Sequence, residues 1–219
     1  MAAALEPIKP RLRGVLHHYA CFASLIAGVV LVLAAPGPLA KAATGVYALA
    51  LSGVFTVSAL YHRIDWRPAT RRWMRRLDHS MIFVLIAGTY TPFALLLLDR
   101  PVAILVAGAV WSGALLGIVL KLAWIDSPPW SMVLICVALG WAGLVTAPEI
   151  ARAAGLGAIV LIVSGGLLYT VGAVVYALHR PDPRPATFGY HEVFHTLVIA
   201  AAALHFVGIA VYAVPGSSV

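Results

Sequence analysis

Runs of apolar residues almost free of charge recur seven times along this chain, at 15–35, 40–61, 79–98, 101–121, 130–147, 156–178 and 189–213. Each is about as long as a bilayer requires, because a helix rising 1.5 Å per residue needs about 20 apolar residues to cross the hydrocarbon layer. Inside lipid every backbone N–H and C=O must find its partner within the segment, so such runs fold as helices. The chain has 219 residues, 62% hydrophobic and 11% charged. A soluble domain carries about 45–50% apolar and about 25% charged residues, so this composition excludes one, and it excludes disorder. Seven spans occupy roughly 150 residues and leave roughly 70 for loops and tails. The expected architecture is all-α: one integral membrane bundle of seven transmembrane helices over residues 1–219.

Proline and glycine mark the breaks. Pro36-Gly37-Pro38 closes the first run, Asp99-Arg100-Pro101 is a tight link, Ser127-Pro128-Pro129 precedes the fifth run, and Arg180 to Pro185 separates the last two. Pro92 falls inside the third run, where a kink is tolerated in a membrane. No internal repeat supports an inverted-repeat transporter. The run from Val15 is long enough to span, so it reads as a first helix rather than a signal peptide. Cys21 and Cys136 both lie in apolar stretches and imply neither a disulfide framework nor a thiolate metal site.

Lys and Arg are distributed very unevenly. With the N-terminus inside, 12 of the 15 fall in inside segments, and only Lys41, Arg100 and Arg152 fall outside. The positive-inside rule then predicts a cytoplasmic N-terminus and an outer C-terminus. These basic residues sit in short loops, which argues against nucleic acid as a partner. The densest stretch, 63–77, holds Arg71, Arg72, Arg75 and Arg76 around Trp73 and reads as a short interfacial helix on anionic lipid head groups.

Ionisable residues within a bundle are functional candidates by default. His62 closes the second span, Asp78 and His79 open the third, and His191, Glu192 and His195 open the seventh, all at the cytoplasmic level. His191 and His195 are four apart and share one helix face, about 6 Å apart along the axis. That is a chelating pair, and His62 supplies a third imidazole. Three protein ligands plus water is the arrangement of a catalytic zinc site; imidazole also suits iron and copper. Asp78 has two roles open to it: an N-cap at the start of the third span, or a carboxylate beside a metal that orients or deprotonates the attacking water. Ser58 lies one turn before His62 on the same face and could donate to Asp78 or to an oxyanion.

His191-Glu192-Val193-Phe194-His195 also matches H-E-x-x-H, in which the Glu is the general base of a metalloprotease. Against this stand the shortness of the motif and the far upstream position of any third ligand. His205 lies about 15 Å beyond His195, too far to share an ion, and reads as a buried polar contact. His17, His18 and His179 lie near the interface, where a histidine requires no special account. Gly113-x-x-x-Gly117 suggests close helix packing.

Ser58-Ala-Leu-Tyr-His62, then the stretch 77–93 containing Asp78, then 189–206 containing His191-x-x-x-His195, together resemble the progestin and adipoQ receptor family, nearest to its bacterial hemolysin III branch. The likeness covers nearly the whole chain. It implies seven helices with the N-terminus inside, a zinc ion on His62, His191 and His195, and Asp78 and Ser58 beside it. The motifs of that family are similar to those of alkaline ceramidases, which implies hydrolysis of a lipid amide or ester and a part in membrane lipid or fluidity homeostasis.

The expected function is therefore a zinc-binding, zinc-dependent lipid hydrolase of the cell membrane, the bacterial inner membrane if the likeness holds. Its substrate would enter from the bilayer and its partners would be membrane lipids. Its competitors are a membrane sensor or receptor with a structural zinc, a lytic pore, an H-E-x-x-H metalloprotease, and a b-type cytochrome with paired histidines.

Overall fold

The computed structural model describes residues 9–216, and its long elements are helical throughout. In chain order they are α1 Val15–Ala34, α2 Gly37–Arg63, α3 Pro68–Leu97, α4 Arg100–Ala123, α5 Pro129–Trp141, α6 Ala147–Ala154, α7 Leu156–Leu178, α8 Tyr190–Gly208 and α9 Val214–Gly216. A 3₁₀ turn, Ala142–Thr146, links α5 to α6, and a π-helical turn, Ile209–Ala213, links α8 to α9. Among the described residues seven helical stretches are long and apolar enough to cross a membrane.

Proline sets most of the starts. Helices α2 to α6 each carry a proline within the first two positions, where its missing N–H costs no intrahelical bond. Two boundaries differ from the sequence expectation. The third span begins at Pro68, not at 79, so the basic stretch is the first turns of α3 and not a separate interfacial helix. From Pro68 to Asp78 there is no glycine or further proline to stop the helix, and Ala, Arg, Leu and Met sustain it well. Asp78 consequently lies inside α3, and its N-cap role is withdrawn; the cap position belongs to Arg67. The fifth span runs on to Ala154 rather than 147, broken at the 3₁₀ turn. A 30-residue α3 is about 45 Å long, longer than the roughly 30 Å hydrocarbon layer.

The core gathers on α2, α3 and α8. Tyr47, Leu51, Val54 and Phe55 of α2 pack with Leu85 and Phe93 of α3 and with Val198, Ala202 and Ile209 beyond. Gly88 lets α3 lie against α2, since a Cβ there would stand 2.5 Å from that of Ala50. The Gly113/Gly117 pair receives side chains from two neighbours: Gly113 faces Leu139 of α5, and Gly117 faces the Phe83 ring of α3. Pro92 is fully buried within α3. Beside it the Thr89 and Thr91 hydroxyls donate to the carbonyls of Leu85 and Ala87. Outward positions stay apolar: Leu33, Leu49 and Val145 are about three-quarters exposed, as expected of a lipid-facing surface.

Because the spans alternate in direction, one end of the bundle collects the start of α1, the end of α2, the early turns of α3, the end of α7 and the start of α8. The candidate site lies there.

Candidate metal centre

The three expected imidazoles meet. His62, the second-last residue of α2, and His191 and His195, on the first turns of α8, each offer a ring nitrogen within 4.8 Å of the others. His62 Nε2 and His191 Nε2 stand 3.1 Å apart. A tetrahedral zinc with Zn–N near 2.0–2.1 Å holds its ligand nitrogens about 3.3 Å apart. The trio could therefore hold such an ion in donor type and number, and the His62–His191 pair also in spacing. His62 and His195 are buried and His191 is half-buried.

Helix α1 closes one side. His17 is buried, its ring stacked on His195 with centroids 3.7 Å apart, and its Nδ1 shares a hydrogen bond of 2.8 Å with the Ser58 hydroxyl. Residue type and spacing had not singled out His17. It is one of two adjacent histidines on a helix that is apolar all round, and only the packing of α1 tells which one turns inward. His18 stays exposed, edge-on to Phe22.

Asp78, on α3, lines the same cavity as the trio and Ser58. Its polar neighbours are Ser58 and His79, the latter at 3.9 Å. His79 is committed elsewhere: its Nδ1–H donates to the Arg75 carbonyl at 2.8 Å, and Tyr176 donates to its Nε2 at 3.5 Å.

Glu192 is turned away from this centre. It is fully buried but is not among the cavity-lining side chains. One carboxylate oxygen accepts from Arg13 Nε at 2.6 Å and the other from the Gly189 N–H at 2.8 Å. A general base must reach the proton it removes, and both of these oxygens are occupied. Glu192 caps α8 and ties it to the segment before α1. The same segment is held by Arg11 N–H to Ala186 O and Leu12 N–H to Thr187 O, both 3.1 Å. Gly14, at φ 77°, completes the fit, because a Cβ there would lie 2.6 Å from that of His62.

From this end a cavity of about 280 Å³ runs into the bundle. Arg13, Arg71 and Arg75 stand at the imidazole end, and Leu85, Ile86, Val137 and Val198 line the walls further in. The cavity reaches His205, which is half-buried and makes a polar contact: its Nε2–H donates to the Ile162 carbonyl at 3.1 Å. His179 lies beyond α7 and does not line the cavity.

A family model described as haemolysin-III related matches residues 5–206. Hemolysin-3 of Bacillus cereus is 30% identical over 79% of this chain and 76% of its own length. The hemolysin-3 homolog of Bacillus subtilis is 31% identical over 77% and 76%. The human monocyte to macrophage differentiation factor is 22% identical over 77% of this chain and 69% of its own.

Proposed function

The chain belongs to the haemolysin III-related family of multi-pass membrane proteins, and on that premise we propose that it is a zinc-dependent hydrolase of lipid amides or esters. The observation that carries this reading is the convergence of His62, His191 and His195 with Asp78 and Ser58 at one end of a cavity whose walls are mostly apolar. His62, His191 and His195 would hold a zinc ion, which when bound would polarise the acyl carbonyl and lower the pKa of water toward 7.

The chain's own residues do the rest. Asp78 accepts the proton of the attacking water and returns it to the leaving amine or alkoxide. Ser58 donates to the oxygen on which negative charge develops, and His17 holds the Ser58 hydroxyl in place through their 2.8 Å bond. Arg71 at the mouth attracts anionic head groups, while Arg13 and Arg75 beside it are ion-paired with Glu192 and Asp126. The apolar walls take the acyl chain, so the lipid is drawn from the bilayer without leaving an apolar environment. Such an activity would adjust the acyl composition of the membrane, and with it fluidity.

The test pairs metal content with turnover in detergent-purified protein. Elemental analysis should give about one zinc per chain, lost in His191→Ala/His195→Ala. Fatty acid release from a panel of ceramides and glycerolipids should appear in the wild type. It should fall about 10²- to 10⁴-fold in Asp78→Asn, with zinc retained. A zinc-loaded protein that releases no fatty acid while a control ceramidase does would overturn the hydrolase reading. It would leave an ion whose work is to pin α2 to α8.

A further inference from the structure

Nearly every polar group in the deep half of the cavity is bonded. Thr89 donates to Leu85 O, Thr170 donates to Gly166 O and accepts from Trp141, and Tyr90 donates to carbonyls at 139 and 140. Two atoms are exceptions. The Tyr169 hydroxyl and His205 Nδ1 are sealed from solvent and have no partner. Both residues line the cavity that begins at the metal-binding imidazoles, and their rings lie 5.5 Å apart. An unpaired polar atom in such surroundings is unfavourable, and here two are carried on neighbouring rings.

Their chemistry is complementary. His205 Nε2 donates to Ile162 O, so a neutral ring leaves Nδ1 as an acceptor. Tyr169 offers an O–H donor. The ring of His205 is not free to turn, because it is pressed onto α7 where Gly165 leaves room; a Cβ at 165 would stand 2.4 Å from it. Ile162, Gly165 and Tyr169 share one face of α7. Thus α7 and α8 bring one donor and one acceptor to neighbouring places on the wall of one cavity. A hydroxyl satisfies both at once, donating to Nδ1 and accepting from Tyr169. A methylene satisfies neither, and a carbonyl satisfies only Tyr169.

We infer that Tyr169 and His205 form a subsite for a hydroxyl carried on the acyl chain of the lipid. This deepens the reading of the cavity as a lipid site and rests on it. His205 is ten residues past His195 on the same helix, so the hydroxyl sits about 15 Å from His195, the nearer of the two ligand imidazoles on that helix; this is the reach of roughly a dozen methylenes. The preferred ligand is therefore a lipid, or its released fatty acid, hydroxylated near mid-chain.

The experiment needs no turnover. Ricinoleate and oleate differ only by a mid-chain hydroxyl, and their binding to the purified zinc-loaded protein is measured by calorimetry in detergent. Ricinoleate should bind on the order of tenfold more tightly for each hydrogen bond gained. Tyr169→Phe, which removes one oxygen and keeps the ring, should lose part of that preference, and Tyr169→Phe/His205→Leu all of it. Equal binding of the two acids by the wild type, the result a permanently held water would give, overturns the inference. So does a preference that survives in the double variant, and so does binding of neither acid. Fatty acid release assayed in parallel separates the two claims. A hydrolase with no hydroxyl preference loses only the subsite, and a protein with the preference but no turnover loses only the hydrolase.

Discussion

His17 and His18 are sequence neighbours about 100° apart around α1, yet one is buried against His195 and the other exposed. The pair shows what single residues in a membrane helix leave unsaid. His62, His191 and His195 were legible because spacing put two on one face and alternation of spans put the third at the same level. His17 had no such partner in the sequence, and α1 has no polar stripe to orient it. Its role follows from one bond, to Ser58. His17→Phe keeps a ring beside His195 but removes that bond. Zinc content should stay unchanged while fatty acid release falls about 10- to 100-fold, as losses of outer partners in metal sites do. Ser58→Ala should lose a similar amount, and the double variant little more, since both act through one hydrogen bond. Additive losses in that cycle would show that the two act separately.

For whole helices, the decisive question is where each begins. Apolar periodicity located the seven spans but could not see that α3 starts at Pro68, because a basic, non-apolar stretch can be helical without being membranous. That early start turns Asp78 from a capping residue into a side chain presented on a helix face to the cavity. The H-E-x-x-H match, already weak in the sequence, says nothing about what lies opposite the Glu. Arg13 lies 179 residues before it in the chain and pairs with it at 2.6 Å. This pair holds the start of α1 on α8, and so holds His17 over His195. Glu192→Gln keeps an acceptor for the Gly189 N–H but leaves the Arg13 charge unpaired. The Arg13 side chain is 20% exposed, so the loss stays below the roughly 3–5 kcal/mol of a fully buried pair, and the thermal midpoint should drop by a few degrees with zinc still bound. A metalloprotease base would instead lose turnover with stability intact. Gly14→Ala makes a companion test. It places a methyl against His62 at a positive φ, and zinc affinity should weaken even though no ligand is changed.

At the scale of the molecule, the antiparallel course of the spans sorts the basic residues. Lys9, Arg13, Arg63, Arg75, Lys121 and Arg180 belong to the end that bears the imidazoles, while Lys41, Arg100 and Arg152 belong to the other. The three ligands come from α2 and α8, far apart in chain order, so a bound ion would clamp the second span to the last. Metal binding to such a site contributes to folding free energy. A chelator should therefore lower the thermal midpoint of the wild type and leave that of His191→Ala/His195→Ala unmoved. Which leaflet the site faces depends on orientation. The charge bias of 12 to 3 predicts that the imidazole end is cytoplasmic and the C-terminus outside. A C-terminal alkaline phosphatase fusion should then be active and a green fluorescent protein fusion dark. The opposite pattern would turn the mouth of the cavity to the outer leaflet. It would also remove Arg71 and Arg75 from the anionic surface of the inner one. In that case the head group drawn into the site would have to be recognised by the cavity itself rather than gathered by the charge of the membrane around it.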